Sequence, residues 1–257
     1  SMLQSVDIVS KTNPDIIDIN FGCPVKKVVS KGAGAGILKD IPHMVRLTKE
    51  MVKRTKIPIT VKTRLGWDEN TIKIVEVAER LQDAGAKAIT IHGRTRSQMY
   101  KGAADWKPIA QVKNNPRMFI PVFGNGDVDS PEKAAQMRDD YGLDGAMVGR
   151  ASIGNPWFFR QAKTFLKDGT SCDLPTILEK TKTVRKHLET AILWKGAKLG
   201  VFETRRHYSN YFKGIQGIKN QKQQLVRENS PEKIFEILSK IEEVVLKNKI
   251  NNIILAK

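Results

Sequence analysis

Residues 16–38, I-I-D-I-N-F-G-C-P-V-K-K-V-V-S-K-G-A-G-A-G-I-L, hold the junction from which the rest of the chain can be read. Ile16, Ile17 and Ile19 interleave with Asp18 and Asn20, the pattern of a buried strand. The ladder must break at Gly22-Cys23-Pro24, because proline has no N–H to donate. Folds of α/β type gather their chemistry at the carboxyl ends of strands, so Cys23 falls where a reactive side chain is expected. Lys26, Lys27 and Lys31 follow, then Gly32, Gly34 and Gly36, which predicts a basic, mobile lid carrying the thiol. The glycine spacing is not a dinucleotide fingerprint.

Working outward, four more strand-like runs lie at residues 59–64, 88–93, 121–126 and 145–150. Helical periodicity occupies 41–54, 71–84, 106–114 and 131–141, and a further helix is predicted over 1–13, ahead of the first strand. Spacing of about 25–45 residues between strands suits βα units and a parallel sheet. The runs end in N-F-G-C-P, K-T-R-L-G, H-G-R-T, G-N-G-D and G-R-A, all polar or glycine-rich. Chemistry at successive strand ends is the arrangement of a (β/α)8 TIM barrel. Five strands can be counted where such a barrel has eight. The expectation is therefore an α/β chain that enters a TIM barrel after its third strand, N-terminally truncated. An open doubly wound sheet is the alternative, disfavoured because no phosphate fingerprint lies on the first strand.

Around Gly169 the pattern changes. L-K-D-G-T-S-C-D-L-P reads as a linker, and helical patterns follow at 176–194, 199–214, 219–228 and 231–247, with Ser230-Pro231 as N-cap and first helical residue. The expected domains are 1–169, the partial barrel, and 170–257, a small all-α domain. The 257 residues carry a formal net charge of +17, which points to a polyanionic partner, nucleic acid first. Residues 170–257 hold 17 Lys and Arg against 9 Asp and Glu, the denser positive body and so the better candidate for gripping phosphates. There is no long apolar run and no Cys pair at metal or disulfide spacing, Cys23 and Cys172 being far apart, and no signal peptide is expected. His43, His187 and His207 form no ligand set, so no metal is expected, nor a membrane partner. The expected setting is cytoplasmic and the expected state a monomer. Cys172 reads as an exposed linker thiol without a role, and Tyr208, Tyr211 and Phe212 as core.

Lys62 and Arg64 alternate along one strand and so share a face. Two cations turned into a core would be costly, so that face must meet an anion or a polar site. His92 ends the next strand, and Gly124-Asn125-Gly126-Asp127 and Gly149-Arg150 close the last two.

D-I-N-F-G-C-P-V-K-K-V, V-K-T-R-L-G-W, I-T-I-H-G-R-T-R, F-G-N-G-D-V and M-V-G-R-A-S-I-G-N-P-W-F-F, in this order, resemble the tRNA-dihydrouridine synthases, close to the bacterial B-type branch. The likeness covers almost the whole chain, and R-R-H-Y-S-N-Y-F-K-G-I-Q-G is similar to the family's C-terminal helical RNA-binding domain. It implies an FMN-dependent barrel that reduces a uridine in tRNA to 5,6-dihydrouridine, with NADPH reducing the flavin. The family's P-M-A-G loop under the flavin and its glutamine near the ring are not present in this sequence.

Reducing the uracil C5–C6 bond takes a hydride at one carbon and a proton at the other. A free thiol titrates at about 8.5 and so keeps its proton at neutral pH, whereas an aspartate has lost it. By resemblance Cys23 is the acid, Lys62 and His92 lie on the flavin, and Asn20 contacts the uracil. Arg64 binds flavin or tRNA; the sequence does not separate these. Arg94 reaches an RNA phosphate or is a plain surface arginine. Asn125, Gly126, Asp127, Gly149 and Arg150 fit an FMN phosphate and ribityl site, since barrels often bind phosphate after strands seven and eight. Lys26, Lys27, Arg205 and Arg206, with His207 beside them, are expected to face the RNA. The rival readings are a non-catalytic RNA-binding protein and an FMN barrel reductase of a free pyrimidine.

Overall fold

The structure is a computed structural model that describes residues 1–255, with side chains described through Asn248. Its backbone divides into two compact units, 1–151 and 152–257.

The first unit is built on five strands, β1 Ile17–Asn20, β2 Ile59–Arg64, β3 Ile89–His92, β4 Val122–Asn125 and β5 Gly145–Met147. All neighbours are parallel and lie in chain order, β1-β2-β3-β4-β5. A doubly wound sheet reverses its strand order at a switch point; here there is no reversal, and the order is that of successive strands in a (β/α)8 barrel. Val61, Ile89, Ile91 and Val122 are fully buried, as parallel strands covered on both faces require.

Helices fill the connections: α1 Met2–Ser10, α2 Lys26–Val29, α3 Ile41–Lys53, α4 Ile74–Asp83, α5 Lys107–Lys113 and α6 Pro131–Asp140. In α4, Ile74, Val77, Ala78 and Leu81 make one buried face at helical spacing. Asp40 caps α3 through the His43 N–H, and Ser130 caps α6, with Pro131 in its first turn. Trp106, just before α5, is 1 % exposed and donates its indole N–H to the Gly126 carbonyl at 3.1 Å. Its ring lies so close to β4 that a Cβ on Gly124 would sit 2.0 Å from it. The elements match the sequence reading within a few residues, except that β5 is three residues long. Its expected end, at Arg150, turns into a short 3₁₀ segment, Arg150–Ser152.

The second unit is helical: α7 Phe158–Asp168, α8 Ile177–Lys195, α9 Ala197–Tyr211, α10 Lys219–Leu225 and α11 Pro231–Leu255. Val184, Leu188, Val201, Tyr208, Phe212, Ile218, Leu225, Ile234, Leu238 and Ile241 form its core. Tyr208, Tyr211 and Phe212 are core residues as expected, and the Ser230 hydroxyl accepts from the Lys233 N–H at the start of α11. The sequence places a break at Gly169, whereas the compact unit starts at Ser152. Gly169 is the left-handed C-cap of α7, which the sequence reading passes over. Trp157 packs edge-on against Tyr211, and a Cβ on Gly154 would sit 2.7 Å from the His207 carbonyl, so this segment belongs with the helices. Cys172 is half-buried rather than exposed.

Candidate active site

Parallel pairing sets the site by register. Asn20 pairs with Lys62, Arg64 with His92, and His92 with Asn125, so the carboxyl ends of four strands stand side by side.

After β1 the chain turns on Asn20. Its Oδ1 accepts from the N–H groups of Gly22 (2.9 Å) and Cys23 (3.1 Å), a side-chain-stabilised turn. The Asn20 amide nitrogen has no partner among the described residues. Cys23 is half-buried and its sulfur makes no hydrogen bond there either. Of the three glycines beyond it, Gly32 is exposed with φ +71°, whereas Gly34 and Gly36 are packed and not free to move as a lid. Gly34 to Leu38 are buried in a 3₁₀ turn, Gly34–Lys39. At Gly34, with φ +54°, a Cβ would lie 2.8 Å from the Cys23 carbonyl; at Gly36 it would lie 2.8 Å from the Val29 carbonyl. These glycines allow close packing that fixes the Cys23 backbone, whose carbonyl accepts from the Ala35 N–H. Lys26 and Lys27, on α2, are exposed and carry no ion pair among the described residues.

Lys62 is half-buried without a hydrogen bond or ion pair among the described residues. Burial, and then the Arg64 charge, lower its pKa to about 8 against a smaller pull from Asp18. An unpartnered ammonium in that position favours an incoming acceptor.

Arg64 behaves otherwise. It is 2 % exposed, and its guanidinium donates to the carbonyls of Gly22, Thr95 and Met99 at 2.8–2.9 Å. It braces the loops after β1 and β3 through Nε and Nη1, a structural part that the sequence reading of Arg64 as a flavin or tRNA contact does not include. Arg94 corrects the sequence reading, being neither at the surface nor on offer to a phosphate. It is 2 % exposed and donates to the carbonyls of Lys101 and Gly102, to the Asp127 carboxylate (2.7 Å) and to His92 Nε2 (3.3 Å). Because arginine only donates, that last contact fixes His92 with its proton on Nδ1. Burial, followed by the charges of Arg64, Lys62 and Arg94, lowers the His92 pKa to about 3, so the ring is a neutral donor at every physiological pH.

Asp127 ties this rim together. Its Oδ2 accepts from Arg94 and from the Ala104 N–H (2.8 Å), and its Oδ1 accepts from Arg150 (3.0 Å). Burial alone would raise its pKa, but these hydrogen bonds and charges outweigh it and hold the carboxyl below its usual range. The Asp127 side chain therefore anchors cations and has no capacity for a phosphate. What it leaves open is backbone. Gly126 (φ +126°) and Asp127 (φ +56°) form a left-handed turn, and neither N–H has a partner among the described residues. A Cβ on Gly149 would meet nothing within 4 Å. Arg150 is exposed and stands 5.6 Å from the Tyr100 ring, with donors to spare beyond its Asp127 bond. Open N–H groups in a left-handed turn beside a guanidinium suit a phosphate. Asn125 donates to the Met147 carbonyl at 2.8 Å and so joins β4 to β5.

Tyr100 and Ala104 are missed by the sequence reading. Tyr100 lies between Arg64 (5.8 Å) and Arg150 (5.6 Å), and its only signal is position, in the long connection after H-G-R-T-R. In the helical unit, Arg205 is half-buried and bound to Glu228 O and Asn229 Oδ1 at 2.8 Å, a brace between α9 and the turn before α11. Arg206 is exposed, and His207 is half-buried against His187, ring centroids 4.9 Å apart. Among the described residues no cluster of His, Cys, Asp or Glu could hold a metal ion, and no helix is long and apolar enough to cross a membrane.

The dihydrouridine synthase (Dus) family pattern matches residues 1–250. The Synechocystis protein named probable tRNA-dihydrouridine synthase 1 is 42% identical over 214 residues, 83% of this chain and 59% of that protein. The tRNA-dihydrouridine synthase B of Pseudomonas aeruginosa is 37% identical over 212 residues, 82% and 63% of the two chains. A Rickettsia conorii protein named probable tRNA-dihydrouridine synthase is 40% identical over 200 residues, 78% and 60%. The chain spans about three-fifths of the length of these relatives. With a family match over nearly every residue, the chain belongs to the dihydrouridine synthase family.

Proposed function

We propose that this chain carries the acid side of a flavin-dependent reduction of uridine in tRNA to 5,6-dihydrouridine, with FMN as cofactor, NADPH as reductant and tRNA as substrate. The observation that supports it best is the set of unpartnered groups at neighbouring strand ends: the Asn20 amide nitrogen, the Cys23 thiol and the Lys62 ammonium. Asn20 is exposed and Cys23 and Lys62 are half-buried, so all three can be reached from outside the chain.

The residues present fit FMN. The N–H groups of Gly126 and Asp127 and the Arg150 guanidinium would hold its phosphate, and Lys62 and neutral His92 would meet the polar edge of its ring. Bound there, FMN would supply the hydride for one carbon of the uracil double bond. Cys23 would give its proton to the other carbon, and water would restore the thiol. Asn20, its oxygen already engaged in the turn, has only its N–H₂ to offer, which suits a uracil carbonyl. A base inside a folded tRNA must be swung out to reach such a site. The exposed lysines of α2 and the helical unit, residues 170–257 with Arg206 on α9, would grip the phosphates.

The test is Cys23→Ala in single turnover. The flavin is reduced beforehand, tRNA is added without oxygen, and flavin reoxidation and dihydrouridine are followed. A positioned general acid contributes about 10²–10⁴ in rate, so the variant should bind tRNA and FMN like the parent and slow by that factor. Reoxidation at the parent rate would remove Cys23 from the chemistry. Loss of flavin from the variant would make it structural.

A further inference from the structure

A second cationic cluster lies in the first unit apart from Cys23, Lys62 and the Asp127 turn. Trp67, in the loop after β2, carries two cations on its ring. Lys39 Nζ is 4.0 Å from the ring centroid and Arg96 Cζ is 4.7 Å from it. The three residues come from three consecutive strand-end connections and are held firmly. Lys39 ends the buried 3₁₀ turn after β1. The Gly66 and Trp67 carbonyls accept from the N–H groups of Arg96 and Ser97 at 2.9 Å. A Cβ on Gly66 would lie 2.5 Å from the Thr71 carbonyl, so the Trp67 loop is closed tightly on itself.

The charges are unbalanced. Neither Lys39 nor Arg96 has an ion pair among the described residues. The two nearby acids are engaged elsewhere: Asp40 accepts from the His43 N–H, and Asp68 accepts from the Asn70 N–H and the Thr71 hydroxyl. Arg96 Nε is buried and has no hydrogen-bond partner among the described residues. Each cation–π contact is worth only about 0.5–2 kcal/mol. The two charges stand no more than about 9 Å apart, within the Debye length of about 10 Å at 0.1 M salt. An indole that gathers two cations, one with an orphaned buried donor, lacks an anion.

We propose that Lys39, Trp67 and Arg96 form a phosphate subsite that takes a backbone phosphate of the RNA strand entering the candidate active site. Arg96 supplies the directed donor, Lys39 the point charge and Trp67 the rigid platform that presents both. The choice of RNA as the source of the phosphate rests on the function proposed above; the phosphate chemistry does not.

Two probes separate these layers: a short oligouridylate, and inorganic pyrophosphate followed by tryptophan emission. Pyrophosphate should shift the emission of the parent and leave that of Trp67→Phe unchanged. Arg96→Gln and Lys39→Gln should each weaken oligouridylate binding at low salt and reduce the slope of log K against log salt by about one unit. Arg96→Lys, which keeps the charge, should restore most of the slope, which a purely structural stacking role would not allow. If the parent binds oligouridylate and Arg96→Gln binds it with the same affinity and slope, the cluster is a loop brace and the proposal is wrong. If pyrophosphate is bound through Trp67 and oligouridylate is not, the phosphate subsite stands and the RNA reading falls. If neither is bound, the subsite falls.

Discussion

The ends of β1 and β2 and the ends of β3 and β4 carry similar polar residues and treat them in opposite ways. At the first pair, the amide nitrogen of exposed Asn20 and the half-buried Cys23 thiol and Lys62 ammonium have no partner among the described residues. At the second, Arg94 holds four partners, Asp127 holds three, and His92 is fixed in one tautomer by Arg94. A buried polar group left alone costs stability, so the second rim reads as frame, satisfied within the chain. The first reads as the face that waits for something. Arg64 links the two, since it lies on β2 yet spans from the Gly22 carbonyl to the loop after β3.

If the second rim is frame, breaking it should unfold the protein more easily, whatever the ligand. Arg94→Met keeps the volume and removes every donor. It should cost about 3 kcal/mol, the lower end of the cost of orphaning a buried ion-pair partner, because Asp127 keeps Arg150 and the Ala104 N–H. The Asp127 share has a pH signature. Its folded pKa lies below the ordinary 3.8, so the stability it contributes is present above that value and is lost as pH falls through the folded pKa. Denaturant melts of parent and variant should therefore draw together below about pH 4. A loss under about 1 kcal/mol at pH 7 would mean that Arg94 is not the keystone of this rim.

The next largest effect probes how the frame is backed. Gly124→Ala places a methyl 2.0 Å from the Trp106 ring, which is itself 1 % exposed and hydrogen-bonded to Gly126. Overpacking of this kind costs about 1–3 kcal/mol, and we expect about 2, read as a lower melting temperature and a changed Trp106 environment in near-ultraviolet circular dichroism. Gly149→Ala is the contrast, because a Cβ there meets nothing within 4 Å. It should leave the fold unmoved.

What the sequence disclosed follows from this division. The five strands, the parallel order and the helices between them were legible because apolar runs, caps and periodicity are local signals: Ile89 and Ile91 in β3, Ser130-Pro131 at α6, the Ile74 to Leu81 face of α4. The strand-end motifs located the rim for the same reason. The partners of each rim residue were not legible. Arg64 and Arg94 look like any arginine in a polar run, and only the fold brings Gly22, Met99 and Lys101 to them. The glycines at 34 and 36 were read as freedom of motion, whereas their missing side chains make room for Cys23 and Val29. The start of the helical unit at Ser152 was hidden because Gly169, a helix cap, carries the same composition signal as a linker.

The smallest effect tests the first rim and runs in the other direction. If Lys62 is an open group without a partner, the protein should be better off without its charge. Burial first, then Arg64, lowers its pKa from 10.5 to about 8. Between those two values the unfolded chain still binds a proton that the folded chain has released, so stability should rise with pH across that window. Below about pH 8 the ammonium is charged in both states and the cost of holding it half-buried is constant. The full shift overstates that cost, because water reaches part of the side chain; we expect about 1–2 kcal/mol. Lys62→Met keeps the stem packed and deletes the charge. It should therefore be more stable than the parent at pH 7 by that amount, show no gain from pH 8 to 10.5, and meet the parent above that range. If FMN binds beside Lys62 as proposed, it should narrow the gap by stabilising the parent more than the variant, because an acceptor there restores a reason to keep its proton. A variant less stable than the parent at pH 7 would mean that Lys62 is satisfied within the chain, and the contrast between an open rim and a closed one would no longer hold at the residue where it is most exposed to test.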